Sequence, residues 1–127
     1  MATAEGENVV TRPIIVCLCG SNRYWRDYIE QNILFTKSGC IVISVGGFIT
    51  KDEACPPFMR VEVSHADKQK LDRLHLAKID MADEILFLNR DGYMGDSTLA
   101  ELDYARKCGK HIRFLEPPKP EHRQARP

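Results

Sequence analysis

Four apolar runs dominate the chain: "PIIVCLC" (13–19), "CIVISVGGF" (40–48), "DEILFLN" (83–89) and "HIRFLE" (111–116). The first three are continuous, not alternating. That is the signature of strands buried on both faces of a parallel sheet, because a half-exposed strand shows a polar residue at every second position. The segments between them have helical spacing. Trp25, Ile29 and Ile33 recur every four residues with Tyr28 beside them, and Gly39 closes that segment. "HADKQKLDRLHLAKIDMA" sets Leu71, Leu74, Lys78 and Ile79 near one face of a second helix. "GYMGDSTLAELDYARKCGK" (92–110) gives a glycine-rich turn and a third helix, with Gly109 at the C-terminal cap position. The order β-α-β-(loop)-α-β-α-β predicts an α/β fold. Its form is a single-domain, Rossmann-like (flavodoxin-like) parallel sheet of four to five strands with helices on both faces.

With 127 residues there is room for one core. Residues 12–117 are expected to form it, between a flexible N-terminus (1–11) and a proline- and charge-rich tail (118–127) expected to be disordered. The formal net charge is +0, which argues against a nucleic-acid partner, since phosphate binders carry a basic excess. No apolar run approaches a membrane span, and "MATAEGENVVTRP" lacks the basic start and apolar centre of a secretory signal. A cytoplasmic location follows as the expectation. The five cysteines form no C-x-x-C pair. Neither a disulfide framework nor a metal site is therefore expected, and Cys17 and Cys19, on one face of a strand, read as buried thiols. Cys55 and Cys108 read as the more exposed pair.

In a sheet of this kind ligands bind beyond the carboxyl ends of the strands. Three loops leave the sheet there: Gly20–Tyr24, Gly46–Ser64 and Asn89–Ser97. The second carries Pro56-Pro57 and is long enough to suggest a functional lid. Gly20 and Ser21, directly after a buried strand, offer backbone N–H groups and a hydroxyl to an anion, and Arg23 adds a guanidinium. The same residues also make a plain turn capped by Ser21 or Asn22, with Arg23 in solvent. Thr98-Leu-Ala-Glu101 has the form of a capping box, in which Glu101 bonds back to the helix start. A glutamate in a first helical turn is also held ionised by the helix dipole, and such a carboxylate can attack an electron-poor sugar carbon. His75 follows Asp72 by three residues, so a carboxylate-oriented imidazole is available on the second helix, as an acid–base group or as a surface pair. Asp80 and Asp83 bracket the start of the third strand, with Asp83 at the end remote from catalysis. Phe48, Phe58, Tyr24 and Tyr93 are placed to stack on a flat ring or to pack the loops down.

The strand ending "CGS" plus Arg, the helix leading into "MADEILFLN", and then "GDSTLAELDYARKCGKHIRFL" form a succession that resembles the nucleoside 2-deoxyribosyltransferase superfamily. Within it, the chain is most similar to the small hydrolases that cleave the N-glycosidic bond of nucleoside 5′-monophosphates. The match spans roughly residues 13–116 and is most specific at the glycine-rich turn and the Glu-Leu-x-x-Ala segment. The resemblance implies Glu101 as nucleophile. It implies Gly20, Ser21 and Arg23 around the sugar and its phosphate, with Asn22 in the same turn, and Gly95, Ser97 and Thr98 facing them from the other side. It also implies no cofactor, a small-molecule nucleoside or nucleotide partner, and a homodimer or higher homo-oligomer. One position departs from the pattern: eight residues before Asp83, where the family carries aspartate, stands His75. His75, Asp72 or Asp80 would then supply the acid. The same departure fits a nucleotide-binding sensor module that does not turn its ligand over. A third reading takes "GYMGDSTLAE" as similar to the Gly-Gly-x-Gly-Thr-x-x-Glu turn of the phosphoribohydrolases that release cytokinins.

Overall fold

The computed structural model describes residues 11–123. Four parallel strands, β1 (Ile15–Cys19), β2 (Ile41–Ile43), β3 (Glu84–Phe87) and β4 (His111–Phe114), form one sheet in the order β2-β1-β3-β4. Three helices connect them: α1 (Trp25–Lys37), α2 (His65–Met81) and α3 (Asp96–Lys107). Side chains on a strand alternate between faces, so β1 feeds two separate cores. Val16 and Leu18 pack with Trp25 and Tyr28 of α1. Cys17 and Cys19 pack with Ile79 of α2 and with Leu102 and Ala105 of α3. The chain is therefore an α/β fold of Rossmann or flavodoxin type, with α1 on one face and α2 and α3 on the other. Among the described residues no helix is long and apolar enough to cross a membrane.

β2 differs from the run "CIVISVGGF". It ends at Ile43 and is half-buried, with Ile41 exposed. The reason is its place in the sheet: as an edge strand it has a partner, β1, on one side only. Beyond it the chain folds on itself, Phe48 bridging to Arg60 through Phe48 N–H to Met59 O (2.8 Å) and Val61 N–H to Phe48 O (3.0 Å). The 46–64 segment is anchored at Phe48 and Cys55, which are buried, while most of its other residues are exposed. Trp25 Nε1 donates to Asp52 (3.0 Å), and Cys55, expected near the surface, is fully buried. The helical periodicities overstate burial in three places: Ile33, Leu71 and Leu74 are exposed. The stripe that α2 turns to the sheet carries His75 and Ile79 instead. Residues 1–10 and 124–127, most of the two segments expected to be flexible, lie outside the described residues. Residues 120–122 form a 3₁₀ turn whose His122 carbonyl accepts from Arg106.

At the amino edge of the sheet Asp83 joins two strands. Its carboxylate accepts from Ile15 N–H (2.8 Å) and from both terminal nitrogens of Arg12 (2.8 and 2.9 Å). The Arg12 hydrogen bond, then that of Ile15, holds this carboxyl at about 2. A depressed carboxyl contributes stability above its unfolded value that is lost as pH falls through the folded value. Asp83→Asn is therefore expected to lower the melting temperature at pH 7. The gap to wild type should narrow as pH falls from about 4 towards 2, as followed by circular dichroism. A gap independent of pH would remove the ionic contribution.

Candidate functional site

The strand order reverses between β1 and β3, and there a cavity of about 620 Å³ opens at the carboxyl edge. Its walls come from the turns after β1, β2 and β3, from one face of α2 and from the first two turns of α3. The β1 turn is fixed on three sides. Gly20 has φ +155°, and a Cβ there would lie 3.0 Å from both Leu88 Cβ and Leu88 O. Tyr28 Oη donates to Gly20 O (2.7 Å). Ser21 Oγ accepts from Arg23 N–H (3.2 Å), and Asn22 Oδ1 accepts from Ile49 N–H (2.6 Å), tying this turn to the opposite wall.

Glu101 lines the cavity, but not as a cap. α3 starts at Asp96 with Gly95 at the N-cap and no side-chain cap bond, so Thr98 and Glu101 both lie inside the helix. The capping box read from the sequence is absent because the helix begins three residues before Thr98 would have capped it. Thr98 is instead buried. Glu101, one turn further in than the dipole argument assumed, is governed by desolvation. Burial pushes its carboxyl up to about 7, with the charge of His75 opposing this and that of Cys17 adding to it. The uncapped helix start has a different use. Leu99 N–H to Gly95 O (2.8 Å) closes the first turn, which leaves the N–H groups of Asp96, Ser97 and Thr98 without helical acceptors. All three residues line the cavity.

His75 is buried at 7 % exposure, not a surface residue, and it does not pair with Asp72. Its Nε2 lies 3.1 Å from Cys19 Sγ and 3.9 Å from Cys17 Sγ. Burial lowers its pKa, but the Cys17 hydrogen bond and the charges of Glu101 and Cys17 outweigh this, and the net shift is upward. Asp72 is taken by Lys68 (2.7 Å), whose Nζ also reaches Ser97 Oγ (3.3 Å). Lys68 is a cation at the cavity wall that the sequence reading missed, beside Lys78, whose Nζ donates to Ser44 O (2.7 Å). The signal was there: Lys68 precedes His75 by seven residues, two turns along the same face.

The fold brings together Gly20, Ser21, Asn22, His75, Tyr93, Gly95, Ser97, Thr98 and Glu101. Four predicted residues fall elsewhere. Arg23 is exposed and does not line the cavity. Its guanidinium lies 4.1 Å over the ring of Tyr93, which does. Tyr24 packs edge-on behind Tyr93 and donates its hydroxyl to Arg90 O (2.9 Å). Phe48 is a core residue, buried against Tyr28 with ring centroids 5.5 Å apart, and has no free face for a base. Asp80 is exposed, outside the cavity, and accepts from Tyr104 Oη (2.6 Å). It lies five residues past His75, so the turn of the helix and the run back along the sheet both carry it away.

The chain matches no protein-family model. No curated protein matches it either.

Because an added methyl at Gly20 meets the Leu88 backbone and not a movable side chain, Gly20→Ala is expected to destabilise the protein by about 1–3 kcal/mol. Urea unfolding measures this, and an unchanged midpoint would show that the β1 turn relaxes freely.

Proposed function

We propose that this protein cleaves, or transfers, the N-glycosidic bond of a nucleoside or nucleoside 5′-monophosphate. The observation that carries the reading is Glu101: a carboxylate half-buried in the wall of a cavity at the carboxyl edge of a parallel sheet, free of the capping role, with a buried imidazole beside it. In the proposed reaction the Glu101 carboxylate attacks C1′ and the bond from C1′ to the base nitrogen breaks. The base leaves with a proton from His75. Water, or a second base, then opens the glycosyl ester, and two displacements retain the anomeric configuration. The resemblance of "GDSTLAELDYARKCGK" to the deoxyribosyltransferase pattern supports the same assignment. Exposed Leu71 and Leu74 line the cavity, and a second copy covering them accords with the homo-oligomer that the resemblance implies.

The 5′-phosphate is assigned to the start of α3, where three unpaired N–H groups, Ser97 Oγ and Lys68 Nζ converge. This moves the phosphate role from Arg23 to Lys68. Lys68→Ala is expected to raise KM for a monophosphate roughly tenfold or more, as loss of a charged hydrogen bond does, with a much smaller effect on the free nucleoside. Arg23→Ala should leave that ratio close to wild type. Equal effects of Lys68→Ala on nucleoside and nucleotide would refute the assignment.

The decisive assay incubates the protein with ribo- and deoxyribonucleosides and their monophosphates, with and without an acceptor base, and follows free or exchanged base by chromatography. Wild type should release base and Glu101→Gln should not, while keeping nucleotide affinity. One observation favours the non-catalytic reading: Asp72 is engaged by Lys68 and Asp80 lies outside the cavity. Tight nucleotide binding with no product from any substrate would decide for a sensor module.

A further inference from the structure

Beneath the cavity, on the α2–α3 side of the sheet, three donor atoms converge from two elements. The alternation of β1 sends Cys17 and Cys19 to one face, and α2 lowers His75 onto them. Cys17 Sγ, Cys19 Sγ and His75 Nε2 all lie within 4.8 Å of one another. Both cysteines are 0 % exposed. Their neighbours Ile79, Ile85, Phe87 and Leu102 are hydrocarbon, so packing alone does not call for an imidazole here. A buried imidazole must be satisfied, and thiols are weak partners for it.

The three atoms fit an ion well. A tetrahedral Zn²⁺ has Zn–S of about 2.3 Å and Zn–N of about 2.0–2.1 Å, which sets donors roughly 3.5–3.8 Å apart. The observed S–N distances of 3.1 and 3.9 Å straddle that range and the two sulfurs lie within 4.8 Å of each other, so side-chain adjustment brings all three onto one ion. We propose that Cys17, Cys19 and His75 bind one Zn²⁺ ion, as a Cys₂His site whose fourth position lies on the Glu101 side. Thiolate and imidazole donors suit this borderline-soft ion and not a hard cation such as Mg²⁺ or Ca²⁺. Metal binding displaces the thiol protons to solvent. The C-x-C spacing hides the site from a search for C-x-x-C pairs, since the third donor comes from another element.

The inference is read out by metal binding, not turnover, and it bears on His75 alone: with Nε2 on the ion that nitrogen has no proton to give, so the acid role assigned to His75 above belongs to the metal-free protein and another group of the cavity serves the loaded one. The other thiols are separable: Cys40 is half-buried and Cys108 exposed, and Cys55 belongs to the core on the opposite face of the sheet. Reduced, chelator-treated Cys40→Ser/Cys108→Ser protein is titrated with Co²⁺ as a spectroscopic stand-in and then with Zn²⁺. The expected result is saturation at one equivalent, a thiolate-to-cobalt charge-transfer band of the intensity that two thiolates give, and its loss on adding Zn²⁺. Cys17→Ala/Cys19→Ala should abolish the band, and His75→Gln should weaken binding at least about tenfold, the effect that loss of even an outer-shell partner has. Should the double variant fail to fold, the parent protein decides alone, through the band and a Zn²⁺-dependent rise in melting temperature. Absence of both in the folded parent, a band of one-thiolate intensity, or a band that survives removal of Cys17 and Cys19 would overturn the site.

Discussion

β1 is hydrogen-bonded to β2 on one side and to β3 on the other, and its five residues carry both cores of the molecule. The register Cys17↔Ile85 and Cys19↔Phe87 sets the two thiols beside apolar partners on the α2–α3 side. A slip of one residue would exchange them with Val16 and Leu18 and destroy both packings at once. The end of β1 is fixed as firmly. Gly20 turns against the Leu88 backbone with its carbonyl held by Tyr28, and Asn22 then fastens the turn to Ile49. The cavity inherits its shape from this chain of contacts, since each wall is tied either to β1 or to the turn that follows it.

The fold was legible because its signal is physical and local. Continuous apolar runs separated by helical periodicity admit few arrangements other than a doubly covered parallel sheet, and the glycine-rich turns marked the edge at which the cavity opens. What misled was equally specific. β2 reads as buried because Ile41–Ile43 is apolar, yet strand order decides burial and no single run encodes it. Leu71 and Leu74 look like core positions of α2, whereas His75, polar by type, takes the place facing the sheet. Phe48 looked like a stacking residue because it follows two glycines, but the fold-back of residues 48–61 drives it into the core. At the site, Glu101 and the Gly20–Asn22 turn were visible as motifs. The thiol–imidazole cluster was not, because contacts between elements create it, and Lys68 showed only in its place two turns before His75 on one helix face.

The cap at the start of α3 shows how a small shift in a helix boundary changes chemistry. If Thr98 were the N-cap, Glu101 would stand at the third helical position with its carboxylate spent on the backbone. With Gly95 there instead, the helix gains most of a turn and its first residues line the cavity with no side-chain cap bond. A Cβ at Gly95 would lie 3.0 Å from Tyr93 Oη, so the residue that leaves the helix uncapped is also the one that lets Tyr93 close over that end. An anion-binding end and a freed carboxylate thus come from one choice of boundary.

That carboxylate is poorly matched to its ground state. Desolvation pushes Glu101 up to about 7, and His75 offsets this only in part. In water an ionised glutamate would be stable and unreactive towards a sugar. Here burial strips part of the hydration from the ionised form, and a positive charge arriving beside it would recover some of what burial removed. Cleavage of an N-glycosidic bond develops positive charge at C1′ as the base departs. In the proposed reaction the charge therefore appears where a desolvated carboxylate gains most from it, and the interaction is stronger in the transition state than in the bound substrate. Only interactions of that kind lower a barrier. A capped or solvated Glu101, equally well stabilised before and after bond breaking, would bind substrate without accelerating its reaction.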